Sequence, residues 1–403
     1  MSDSAGKPTI FCMSSYEKGQ GFLREAHRLG LNVMLLTGDK LKDANWPREA
    51  LSELFTMPEN LTAEQLRNTV TYWARSRRID RIVALDEFDL ESAAMLREHF
   101  RLPGMGLTAT AYFRDKLAMR VKAKSAGIPV PEFSGVFHHD DLRHFMASVP
   151  GPWLLKPRTN ASAIGIKTIQ TPDDLWPVLD QLGDLQSNYV LERFVTGGVF
   201  HVEGITWKGE VLFSAPHQYG QPPMKTMHQG GVFTTRALHP ESSDAQELVA
   251  IHKQVIAALG MVSGVTHTEF IKSAEDGRFH FLESAARVGG AYIAEVVEFA
   301  TGLNPWVEWA RLTAAELLGE EYVLPVSKGD FAGSVICLAR QEQPDTAAYS
   351  DPEIVHRLHR HHHAGLIVRS ESADRVEHLV HGYSLRFLDE FCATAPVPDK
   401  PSA

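Results

Sequence analysis

A chain of 403 residues with 44% hydrophobic and 22% charged residues reads as a globular protein too long for one hydrophobic core, so two or three domains are expected. A formal net charge of −10 gives no general attraction to nucleic acid or to an anionic membrane, although it leaves room for a local basic pocket. Three widely spaced cysteines, Cys12, Cys337 and Cys392, argue against a disulfide framework, and neither a leader-like start nor a membrane-length apolar run is found, so a cytoplasmic protein is the default expectation.

Residues 9–13 form a short apolar strand ending in Ser14-Ser15. Residues 22–29 form a helix closed by Gly30, and residues 32–36 a second strand. A helix over 63–76 leads to a strand at 81–85. Such alternation predicts a parallel sheet with right-handed crossovers. The loops at 14–21 and 86–89 would line the crevice where these sheets bind ligands. Gly19-x-Gly21 lacks the dinucleotide fingerprint, so no nicotinamide site, and no oxidoreductase, is expected.

A boundary falls near 103–110, and a basic helix over 112–127 stops at Gly127-Ile128-Pro129. Strands at 133–137, 153–157, 166–169 and 189–192, with helices at 140–147 and from Thr171, make a small α+β lobe ending near 195–198. A sheet-rich domain follows, with strands near 200–206, 210–215, 264–272 and 279–284. Residues 216–235 read as a long polar loop suited to substrate selection, and the Pro-rich tail from Ala393 as frayed.

Residues 266–271 and 280–287 each alternate apolar and polar positions, and Asp276-Gly277 between them is a hairpin signal. Glu269 and Glu283 would then meet across the pair, with Arg287 at the strand end. Opposed like charges destabilise a sheet unless a cation sits between them, and Mg²⁺ is held by one or two carboxylates plus substrate phosphates. The competing reading is an acidic, solvent-facing hairpin. Upstream, Lys116 lies in a basic helix and Lys156 ends an apolar strand before a small polar loop, 159–165, that can offer backbone N–H groups to phosphate oxygens.

The order of two lysines, a small-residue loop, Glu192-Arg193-Phe194-Val195, two Glu-bearing strands and an Arg resembles the ATP-grasp superfamily, nearest to its carboxylate–amine ligases and biotin-carboxylase-like branch. The resemblance implies an N-terminal Rossmann-like parallel-sheet domain at 1–110, a small ATP-grasp lobe at 111–195 and a larger mixed-sheet lobe at 196–395 with a C-terminal subdomain from about 325. It implies that Lys116 and Lys156 contact ATP phosphates while loop 159–165, including Ser162 and Ile164, closes over them. Glu192 would accept the adenine amino group, with Arg193, Phe194 and Val195 completing the hinge, and His201 or Glu203 would touch the nucleotide. Glu269 and Glu283 would hold Mg²⁺, or Mn²⁺, and Arg287, with Lys156, would stabilise the transferred phosphoryl group.

The activity implied is ADP-forming amide synthesis through an acyl phosphate, from a small-molecule carboxylate and an amine of amino-acid or peptide type, with a homodimer left open. The alternatives are a bicarbonate-phosphorylating enzyme and a non-catalytic nucleotide binder. Four positions depart from the pattern: Ala285 replaces a metal-ligating Asn, Ala161 and Ala163 stiffen the loop, and Val199 stands where an acid often holds the ribose. The cluster His356, His359, His361, His362 and His363 reads as a solvated basic loop, with a transition-metal site as its alternative.

Overall fold

The computed structural model describes residues 6–161 and 163–393, whose strands gather into three sheets. The first holds β1 (Thr9–Ser14), β2 (Asn32–Gly38), β3 (Glu53–Met57) and β4 (Arg81–Ala84) in the order β3-β2-β1-β4, every pair parallel. Helices α1 (Gln20–Arg28) and α2 (Ala63–Ala74) make crossovers, and α3 (Leu90–Phe100) follows β4. β1 is buried along its whole length, the continuous apolar run that a parallel strand covered on both faces requires. Gly30, at φ +86°, ends α1 as expected. β3 was not anticipated; only its Met57 is fully buried, so this edge strand lacks the apolar run that marks the others.

After α4 (Leu107–Ala111), α5 (Lys116–Ser125) begins later than the helix expected from 112. The Asp115 side chain accepts from the Leu117 amide at 2.9 Å, capping a new helix rather than continuing an old one. The second sheet, in the order β5-β8-β6-β7, contains β5 (Phe133–Gly135), β6 (Trp153–Pro157), β7 (Lys167–Ile169) and β8 (Tyr189–Arg193), all antiparallel. With α6 (His139–Ser148) and α7 (Pro172–Leu182) it encloses a separate core that includes Leu142, Trp153, Leu155, Leu175 and Leu191.

The third sheet has eight strands in the order β13-β12-β9-β10-β11-β14-β16-β15, with every pairing antiparallel. They are β9 (Gly197–Trp207), β10 (Glu210–Tyr219), β11 (Phe233–Ala237), β12 (Gly264–Ser273), β13 (Phe279–Ala285), β14 (Phe331–Leu338), β15 (Ile354–Arg357) and β16 (His363–Ser370). The helices are α8 (Pro223–Gln229), α9 (Ser243–Leu259), α10 (Ile293–Thr301), α11 (Pro305–Leu318) and α12 (Ala373–Glu390). β9 sets the two faces of this sheet. Phe200 and Val202 join Leu248 and Val255 of α9 in one core, while His201 and Glu203 point to the opposite face. α5 packs on α9 and β13, outside the core of the small lobe. β14, β16 and α12 share a further core of their own.

Residues 216–235 are not one loop. β10 runs on to Tyr219 because His217 and Gln218 pair with His201 and Phe200 of β9, and β11 starts at Phe233. Polar residues conceal this strand end: they are buried against one another, not against an apolar core. Among the described residues no helix is long and apolar enough to cross a membrane. The tail expected to fray, beyond Ala393, lies outside the described residues.

Candidate active site

The two Glu-bearing strands pair as their alternation requires. Glu269 lies directly opposite Glu283, and His267 opposite Ala285, with a bulge after Glu269. The connecting turn uses Gly277 at φ +70°, whose amide reaches Ser273 O at 2.9 Å. Ser284 points to the other face, where its hydroxyl meets Thr268 Oγ1 at 2.8 Å. Two carboxylates therefore share one face, and each is held by a donor. Lys116 Nζ sits 2.7 Å from Glu283 Oε2 and donates to Asn160 O, also at 2.7 Å, joining α5, the loop and β13. The Tyr219 hydroxyl donates to Glu269 Oε1 at 2.8 Å.

On the small lobe, Glu192 is completely buried between Lys156 Nζ at 2.6 Å and Arg120 Nε at 2.7 Å. Burial pushes its pKa up, but the Arg120 and Lys156 cations outweigh that and hold it at about 2. Expected to accept from adenine, Glu192 here has one oxygen beside Arg120 and the other beside Lys156. Arg120, only 1% exposed, also donates to the Leu282 carbonyl of β13. Arg193 turns its side chain to Glu132 and Glu275, and its amide bonds Glu132 O at 2.9 Å. The Phe194 amide bonds Pro152 O at 3.0 Å, so the hinge N–H groups at 193 and 194 serve the protein rather than a purine. Val195 packs on an apolar cluster that includes Val199, Ile271, Phe233 and Leu282.

In the loop at 159–165, Ala161 and Ile164 are buried, and the Ile164 amide bonds Ala161 O at 3.2 Å. Ala163 adopts φ +56°, an unusual conformation for a residue with a Cβ. Ser162 lies outside the described residues.

Arg287 leaves β13 and donates to Glu87 Oε1 at 2.8 Å and to Val288 O at 3.0 Å. Burial raises the Glu87 pKa, but the Arg287 guanidinium prevails and holds it at about 2. The loops foreseen at 14–21 and 86–89 do line a crevice, a cavity of about 350 Å³ bordered by Ser15, Thr37, Glu59, Phe88 and Asp89. What the sequence did not disclose is that the 86–89 loop, through Glu87, grips the arginine of the distant sheet. Gly289 is required beside it, because a Cβ there would lie 2.9 Å from Glu203 Oε2. Ala291 and Tyr292 follow at φ +50° and +59°, strain of the kind that collects at functional loops.

His201 and Glu203 belong to a buried network and are not open to a nucleotide. Glu203 Oε1 meets His201 Nδ1 at 2.8 Å and His267 Nδ1 at 2.5 Å, and His201 Nε2 meets Thr235 Oγ1 at 2.7 Å. Burial works against a charged His267, but Glu203 prevails and raises its pKa to about 10, giving an imidazolium between Glu203 and Glu269. These contacts are hydrogen-bond lengths, shorter than the spacing of atoms around a shared metal ion. No cluster of metal-binding groups forms from the histidines at 356–363 among the described residues; His356 lies near the rings of Tyr292 and Phe299.

Residues 23–104 match the family model for the ATP-grasp N-terminal domain. An L-arginine-specific L-amino acid ligase of Bacillus subtilis is 28% identical over 234 residues, 56% of each chain. A D-alanine–D-alanine ligase of Neisseria gonorrhoeae is 25% identical over 195 residues, 45% of this chain and 59% of that one. The chain thus spans little more than half the length of these curated relatives. The crystal structure of an L-amino acid ligase from Bacillus licheniformis superimposes with a TM-score of 0.75 at 20% identity, covering 97% of this chain and all of the other. The chain has the ATP-grasp fold, and its residues 23–104 match the model of the ATP-grasp N-terminal domain.

Proposed function

We propose that the chain is an ATP-dependent carboxylate–amine ligase that joins amino acids or small peptides and releases ADP and phosphate. The observation that carries this reading is the facing pair Glu269 and Glu283, with Lys116 and the 159–165 loop on one side and Arg287, tied to the N-terminal crevice, on the other. The similarity to amino-acid and D-alanine ligases supports the same chemistry. The donor set suits a hard cation, because two carboxylates on one face would otherwise repel. Glu269 and Glu283 would hold Mg²⁺ or Mn²⁺, which neutralises phosphate charge; Ala285 offers no third ligand.

Lys116 and Lys156 orient the ATP phosphates, and the apolar patch at Val195, Ile271 and Leu282 receives the adenine. The substrate carboxylate attacks the γ-phosphorus and ADP leaves. Arg287 stabilises charge on the transferred group, so an arriving carboxylate must compete with Glu87 for it. The amine then attacks the acyl phosphate, forms the amide and expels phosphate. The three sheets fit a division at 1–110, 111–195 and 196–395, with α5 of the second range packed on α9 and β13 of the third.

A coupled assay over pairs of amino acids, with mass detection of product, should show ADP, phosphate and a dipeptide-like amide. AMP and pyrophosphate would overturn the mechanism, and a strict requirement for bicarbonate would favour the carboxylase reading. Lys156→Ala should weaken nucleotide binding by about 1.5–3 kcal/mol, the worth of one charge-assisted hydrogen bond. An unchanged nucleotide Kd by calorimetry would place Lys156 outside the site.

A further inference from the structure

We propose that Tyr219 is a positioning residue for Glu269, its hydroxyl occupying Oε1 so that Oε2 is the oxygen presented to the metal. The proposal rests on the reading of Glu269 as a metal ligand. Tyr219 comes from β10, two strands away from β12, and reaches Glu269 over the intervening β9. Its O–H···Oε1 distance is 2.8 Å, and Oε2 carries no protein hydrogen bond among the described residues. The ring is only 6% exposed and wedged against His201, at a centroid distance of 4.6 Å, and Phe233, at 5.5 Å. A phenol locked on both sides cannot follow a carboxylate that swings, so it fixes which oxygen faces the cleft. His267 assists from the same side, with Nε2 3.5 Å from Oε1 and its other nitrogen held by Glu203. A carboxylate restrained in this way enters metal binding with its rotamer already chosen, and loss of such an outer partner typically costs 10–100-fold in metal affinity.

The test uses the full chain loaded with a non-hydrolysable ATP analogue and titrated with Mn²⁺, followed by electron paramagnetic resonance. Tyr219→Phe keeps the ring packing and removes the hydroxyl. Its Mn²⁺ Kd should rise about tenfold or more, while analogue affinity measured without metal and the thermal unfolding midpoint stay at wild-type values. Glu269→Gln is the reference and should weaken Mn²⁺ binding at least as much. If Glu269→Gln weakens Mn²⁺ binding and Tyr219→Phe does not, the positioning role is overturned and the metal reading stands. If neither moves it, the metal reading falls and the proposal with it. A loss of Mn²⁺ and metal-free analogue affinity together in Tyr219→Phe would show a general packing role and also overturn the proposal.

Discussion

Glu283→Gln is expected to cut turnover by orders of magnitude while leaving the fold intact. The substitution removes one negative charge from a site whose task is to gather cations around phosphate. Metal-assisted charge stabilisation is worth several kcal/mol, so a fall of about 10²–10³-fold in kcat is expected. Stability should hardly suffer. Glu283 is one-third exposed, faces the like charge of Glu269 across the strand pair, and Gln keeps its shape. The same change has a second consequence. Without nucleotide, Lys116 lies on Glu283, so metal and ammonium compete for one carboxylate until phosphate draws the lysine away. Glu283→Gln therefore frees Lys116, and nucleotide affinity measured without metal should persist or tighten even as turnover falls. Steady-state assays and metal-free calorimetry on one preparation test both halves. Near-normal turnover would remove Glu283 from the metal site.

The site was legible where a pattern recurs every second residue and opaque where partners come from far along the chain. Alternation alone placed Glu269 opposite Glu283, and Asp276-Gly277 fixed the register. The parallel sheet and its crevice loops followed from apolar runs punctuated by Ser and Gly. Arg120 escaped notice because a basic residue in a basic helix reads as surface, yet it is among the largest fully buried side chains. Nothing local announces that its partner is Glu192, or that Arg287 meets Glu87 across 200 residues of sequence. The apolar patch beside the hinge had a faint signal: Ile271 falls two residues beyond Glu269 and Val199 two before His201, on the faces those residues define. The family resemblance points His201 or Glu203 toward the nucleotide, whereas here they are bonded to each other in the interior.

Glu192→Leu should produce the largest loss of stability. Glu192 neutralises Arg120 and Lys156 in a place where Arg120 is 1% exposed and Glu192 not at all. Removing the acid leaves two cations close together with no counter-charge, and breaking a buried pair from one side costs about 3–5 kcal/mol. Replacing both sides is different, because well-packed apolar residues often substitute for a buried ion pair at little cost. Adding Arg120→Met to Glu192→Leu should therefore recover much of the loss, although Lys156 remains. The pH dependence has a definite sign. The Glu192 pKa is depressed from 4.5 to about 2 by Arg120 and Lys156 against the cost of burial. Its stabilisation is thus fully present above about pH 4.5 and lost as pH falls toward about 2. The gap between wild type and Glu192→Leu should close over that acid window and stay constant above it. Urea unfolding of the wild type, the single variant and the double variant at several pH values measures all of this. A single variant as stable as wild type at neutral pH, or a gap that widens in acid, would mean that Glu192 is not the counter-charge that holds Arg120 and Lys156 inside the protein.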